Sequence, residues 1–155
     1  MKPIKLLLAT FFSLFSLSIH PNDKPNIVLI LIDDLGLTDI QAYGGEISTP
    51  NMDSLASEGM LFTNYHTTPE CAPSRAMLLT GMDNHNTGIP MIPEVLPWEY
   101  RNTPGYEGYL RDDALTIAEI LKPAGYRSYM TGKWHLAFGG HETAALPFNL
   151  SLIHI

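Results

Sequence analysis

Six consecutive apolar residues, Ile27-Val28-Leu29-Ile30-Leu31-Ile32, follow Asn26 and end at Asp33-Asp34. A run of this length, mostly β-branched, predicts a strand covered on both faces, as in the parallel sheet of an α/β protein. Thr49-Pro50-Asn51 then opens a stretch that sets Met52, Leu55 and Ala56 on one side and places Gly59 past its end. That pattern predicts a helix with Thr49 as N-cap and proline in its first position. The aromatic and threonine content of Met60 to His66 suits a second strand, which delivers the chain to Cys71. The apolar stretch Ala76 to Leu79 predicts a helix entered from a loop at Cys71. Asp112 or Asp113 is placed to cap a further helix carrying Leu115, Ala118 and Leu121 and closed by Pro123 and Gly125, and Tyr126 to Thr131 reads as a strand. Between these elements Pro90, Pro93, Pro97 and Pro104 interleave with Trp98, Tyr100, Tyr106 and Tyr109, predicting an irregular segment over residues 88–109.

The amino terminus stands apart. Met1-Lys2-Pro3-Ile4-Lys5 precedes the apolar run from Leu6 to Ile19, broken only by Thr10, Ser13, Ser16 and Ser18. At about fourteen residues this is short for a membrane span of about 20 residues and reads as a signal peptide over residues 1–20, with the lysines as its charged head. An exported protein, periplasmic or secreted, with no stable membrane span is the expectation. The composition of the whole chain is that of a globular enzyme, 45% hydrophobic and 16% charged, and its net charge of −7 argues against nucleic acid as a partner.

Candidate chemistry clusters at three places. Cys71 is the only cysteine, so neither an internal disulfide nor a paired-cysteine zinc site can form. Pro73 and Arg75 follow it, and the start of the helix beyond favours an anion. The other reading of a lone cysteine is a small buried hydrophobe. Arg75 lies four residues after Cys71, not the six of a cysteine phosphatase loop. Asp33 and Asp34, at the end of the first strand, are either a solvated turn or hard oxygen ligands for calcium or magnesium. Gly132-Lys133-Trp134-His135 is either a surface turn or the end of a strand bearing a point charge for an anionic ester and a group that exchanges a proton near neutral pH. Asp83-Asn84, in a turn after the Cys71 helix, is rejected as a metal pair, and His66, His85 and His141 read as core, turn or rim residues.

Cys71-Ala72-Pro73-Ser74-Arg75, with Thr80-Gly81 behind it, resembles the signature of the type I sulfatases, arylsulfatases among them. Asp33-Asp34, Gly132-Lys133-Trp134-His135, the run from Thr49 to Gly59 and Leu121-Lys122-Pro123-Ala124-Gly125-Tyr126 are similar to that family too. Gly81-Met82-Asp83 departs from the commoner pattern, which has Arg directly after the glycine. The resemblance implies an α/β, alkaline-phosphatase-like fold, a mixed and mostly parallel sheet flanked by helices, of which residues 21–155 would be only the N-terminal portion. Residues 150–155 depart from the family pattern and read as a non-native tail.

The same resemblance implies a sulfuric ester hydrolase. Cys71 would be oxidised by a formylglycine-generating maturation enzyme to an aldehyde whose hydrate is the nucleophile. Asp33, Asp34 and the oxidised residue 71 would hold calcium, with magnesium as the alternative. Arg75 and Lys133 would bind sulfate and the hydrate, and His135 would accept a proton. The substrate would be a small-molecule or carbohydrate sulfate ester, and residues 1–155 alone would be inactive. Two other functions fit the residues: a phosphatase or phosphonate hydrolase of the same superfamily, and a secreted binding protein without catalysis.

Overall fold

The computed structural model describes residues 24–101, 103–137 and 149–151. The expected leader and the tail beyond residue 151 lie outside them, as does His141. The chain divides into two compact units, Met1–Ile32 and Asp33–Ile155. In the first, residues 24–32 form no regular element, and their apolar side chains are exposed, Val28 by 80%. The strand expected there is therefore absent. A strand exists through its ladder to a neighbour rather than through its own side chains.

In the second unit, helix α1 spans Pro50–Glu58 and ends at Gly59, as the sequence predicts. Thr49 does not cap the backbone: its hydroxyl donates to Asp53 Oδ1 at 3.1 Å and accepts from the Gln41 N–H at 3.0 Å, tying α1 to the preceding turns. Met60 to His66 is irregular rather than a strand, and Phe62 and Tyr65 are exposed. Tyr43 donates its hydroxyl to the Phe62 carbonyl at 2.8 Å, so side-chain bonds hold this segment in place of a ladder.

Helix α2 spans Cys71–Thr80, so Cys71 is itself the first helical residue and not part of the loop before it. Proline two residues in is tolerated because the first turn asks for no backbone donor there. Ala72, Arg75, Ala76 and Leu79 recur at helical spacing and form its buried face. Gly81, at φ 69°, ends it with its N–H on the Met77 carbonyl. The short helix α3, Asn84–Thr87, is capped by Asp83, whose carboxylate accepts from the His85 N–H at 3.0 Å. Asp83 and Asn84 thus do structural work, as expected of a turn.

The described residues of 88–109 are irregular apart from 3-10 turns at Pro93–Val95 and Trp98–Tyr100. The next helix, α4, is shorter than expected, Ile117–Leu121, and its cap is Thr116 rather than Asp112 or Asp113. Asp113 is held by the Arg111 guanidinium at 2.9 and 2.7 Å, whereas Thr116 and Glu119 complete a reciprocal capping box. A 3-10 turn over Lys122–Ala124 carries the chain to Gly125. Strand β1 is confined to Tyr129–Thr131 and pairs in parallel with β2, Asn149–Ser151, with Tyr129 opposite Asn149. This pair is the only sheet among the described residues. None of the described helices is long and apolar enough to cross a membrane.

The core joins Ala72, Ala76 and Leu79 of α2 to Ile89, Leu110, Ala114, Ala118, Trp134 and Leu136. Alanines at the contact let the segment bearing residues 132–136 lie close to α2, and the Leu110 N–H on the Leu136 carbonyl at 3.0 Å pins it. Gly88 makes a similar close approach: at φ 88° a β-carbon there would stand 2.7 Å from the Tyr109 carbonyl oxygen. Gly81 shares the positive φ, but a β-carbon would meet nothing within 4 Å. Gly81→Ala is expected to cost about 1 kcal/mol and Gly88→Ala about 2–4 kcal/mol, read from the midpoints of urea unfolding.

Candidate active site

Three distant segments meet at the N-terminal end of α2. From the first turn of α2 the Ser74 hydroxyl donates back to the Glu70 carbonyl at 2.8 Å and lies 2.7 Å from the Thr68 hydroxyl, which shapes the turn that presents Cys71. On α2, Arg75 lies one turn beyond Cys71 and is buried. It donates from Nη2 to Asp33 Oδ1 at 3.0 Å and from Nη1 to the Lys133 carbonyl at 2.8 Å. Its Nε is buried and finds no hydrogen-bond partner among the described residues.

The third segment alternates. Trp134 and Leu136 go into the core, which leaves Lys133 and His135 on the side facing Cys71. Lys133 Nζ stands 2.7 Å from Asp33 Oδ2 and 3.4 Å from Cys71 Sγ. His135 Nδ1 stands 3.2 Å from the same sulfur, and its Nε2 is 3.0 Å from Glu94 Oε2. His135 has φ 59° and Asp34 φ 54°, the two non-glycine residues in the left-handed region among those described. Such backbone is uncommon and clusters at functional sites.

The charges settle each other. Hydrogen bonds from Lys133 first, then from Arg75, hold the Asp33 carboxyl below the usual carboxylate range. Lys133 is raised above the usual lysine value, chiefly by its bond to Asp33 and against some desolvation. Desolvation pushes Glu94 upward, but the hydrogen bond from His135 and that from its own backbone outweigh it, and the net shift is downward.

Of the residues singled out in the sequence, Asp33, Cys71, Arg75, Lys133 and His135 are thus joined by direct contacts. Asp34 follows Asp33 in the same turn with its side chain exposed. His66 is exposed and bonds Asn64, and His85 is exposed against Tyr106, so neither enters the site. Glu94 and Glu70 are the residues the sequence did not reveal. Nothing local in Pro93-Glu94-Val95 marks a contact with His135, which lies 41 residues on.

For a metal ion the donors are partly suitable. Asp33 is kept ionised by its two cations, and Asp34 adds a second hard carboxylate beside it. Calcium takes about six to eight oxygens, so this pair supplies only part of a shell. Cys71 does not join the acids as a third ligand in the described residues, where no group of three or more candidate ligands is gathered. The Lys133 ammonium contacts both Asp33 and Cys71.

Comparison with known proteins identifies relatives of this chain. The sulfatase family model matches residues 25–150. An arylsulfatase of Klebsiella aerogenes is 45% identical over 119 residues, which is 75% of this chain and 25% of that protein. Human arylsulfatase A is 46% identical over 125 residues, 79% of this chain and 23% of its own length. An uncharacterized sulfatase of Schizosaccharomyces pombe is 47% identical over 116 residues, 73% of this chain and 21% of that protein. The chain therefore spans about a fifth to a quarter of the length of these relatives.

The ion pairs predict how stability follows pH. The contribution of Asp33, whose carboxyl is depressed on folding, is present at neutral pH and lost as pH falls through its folded value. That of Lys133, which is raised, is fully present below the ordinary lysine value and lost as pH rises through its folded one. Melting temperature is expected to fall at both extremes, and Asp33→Asn is expected to flatten both limbs and lower stability at neutral pH by leaving Arg75 buried without its partner.

Proposed function

Because this chain belongs to the sulfatase family, we propose that the full-length protein hydrolyses sulfate esters, arylsulfatase-like, at the site built around residue 71. Family membership implies an alkaline-phosphatase-like fold, to which the parallel pair β1–β2 is suited. The observation that carries the reading is the convergence on Cys71 Sγ of Lys133 Nζ at 3.4 Å and His135 Nδ1 at 3.2 Å, with Arg75 and Asp33 behind them.

The sulfatases are generally dependent on formylglycine and a metal. Here Asp33 and Asp34 would hold calcium or magnesium, and with the oxidised side chain of residue 71 these groups would supply Lewis-acid polarisation and the nucleophilic oxygen. Sγ marks the place of that side chain's oxygens. Lys133 is close enough to counter negative charge there as a point charge, and Arg75 contributes a second cation one turn along. The peptide dipoles at the start of α2 add to this field. His135 Nδ1 is the atom positioned to take a proton from residue 71 as sulfate leaves. The maturation enzyme is a required partner in this scheme, and the leader read in residues 1–20 directs the protein out of the cytoplasm.

The test is kinetic and chemical. Full-length protein co-expressed with a formylglycine-generating enzyme is expected to lose the thiol at residue 71, seen by peptide mass spectrometry, and to turn over an aryl sulfate faster than the matching phosphate. Cys71→Ala should abolish turnover, and Lys133→Ala should lower kcat by about 10²–10³-fold. Chelation should reduce the rate and calcium should restore it. Faster phosphate turnover would favour the phosphatase reading, and a persistent thiol without turnover would favour a binding protein.

A further inference from the structure

Glu94 touches the site, yet the scheme above gives it no part. Its backbone is held where it is from several sides. Pro93 is fully buried, Leu96 is 3% exposed, and the Val95 N–H donates to the Ile92 carbonyl at 3.1 Å to close the turn. The Ile92 N–H donates to Glu70 Oε2 at 2.8 Å, and Glu70 immediately precedes Cys71. The segment that carries Glu94 is thus moored to the same helix start that carries the candidate nucleophile.

From that anchored turn Oε2 reaches His135 Nε2 at 3.0 Å, while the other ring nitrogen faces Sγ at 3.2 Å. The His135 side chain is 16% exposed and Glu94 is 54% exposed, so the carboxylate covers the outer edge of the ring. A neutral imidazole has one N–H, and an ionised carboxylate can only accept. The proton must then lie on Nε2, which leaves the Nδ1 lone pair directed at the side chain of residue 71. The left-handed backbone at His135 contributes to the ring's placement.

We infer that Glu94 is a positioning residue: it accepts the Nε2–H of His135 and so fixes the tautomer in which Nδ1 is a proton acceptor toward residue 71. In the reaction this rests on the sulfatase reading. The hydroxyl O–H bond at residue 71 breaks, its proton passes to Nδ1, and the O–H bonding pair forms the carbonyl as the bond to sulfate breaks and sulfate departs with that bond's electrons. Glu94 takes no proton and touches no substrate. A carboxylate that only fastened a surface loop would have no bearing on which ring nitrogen is protonated.

Full-length protein labelled with 15N-histidine, its His135 signals identified by their loss in His135→Gln, reports the tautomer directly at mildly alkaline pH. The parent is expected to show Nε2 protonated and Nδ1 bare. Glu94→Ala should give a mixture of tautomers, and Glu94→Gln, whose Oε1 still accepts, should restore the parent pattern. In the matured enzyme Glu94→Ala should lower kcat by about 10–100-fold with KM unmoved, and Glu94→Gln should recover most of it. A parent ring protonated on Nδ1, or an Nε2–H unaltered in Glu94→Ala, overturns the inference. So does a KM rise without loss of kcat. If the parent turns over no sulfate ester, the proposed function falls, and the nitrogen shifts still decide the role of Glu94.

Discussion

The carboxylate of Asp33 is the joint on which the site depends. It accepts from Arg75 at 3.0 Å and from Lys133 at 2.7 Å, residues 42 and 100 positions away. Arg75 is buried, and an unpaired guanidinium there would be very costly, so the fold requires an anion at that place. Closing such long loops adds only slowly to the entropy of folding, about 0.6 kcal/mol for each doubling of length. One anion shared by two cations is therefore enough to define the meeting point of three remote segments.

The same helix serves core and chemistry. Ala72 and Ala76 give α2 a narrow buried face, and Trp134 and Leu136 pack into it, so the residues that alternate with them, Lys133 and His135, emerge beside Cys71. The placement of the reactive groups follows from the packing beneath them. Backbone in the left-handed region at Asp34 and His135 shows where the chain accepts local strain to complete the arrangement.

Residue identity made much of the site legible in sequence. Cys71, Arg75, Asp33, Lys133 and His135 each stand in a local run that singles them out, and the structure joins all five by direct contacts. Helix punctuation was equally legible at Pro50 and Gly59. Strands were not: the runs at residues 26–32 and 60–66 have the right side chains, but a ladder is a property of two segments, and among the described residues only Tyr129–Thr131 and Asn149–Ser151 form one. Asp113 has the chemistry of a cap and was displaced by Thr116 because Arg111, two residues earlier, claims its carboxylate. Glu94 was illegible for the opposite reason. Its role comes wholly from a neighbour 41 residues distant, and no local pattern encodes that.

Sequence distance also sets a clock. Cys71 and His135 are separated by 64 positions, and at roughly 5–20 residues per second a ribosome needs on the order of 3–13 seconds to travel between them. Until the later residues emerge, neither Lys133 nor His135 can close over the sulfur, and α2 lacks the tryptophan and leucine that bury its flank. Each newly made chain thus passes through an interval in which the thiol exists without the two side chains that later flank it.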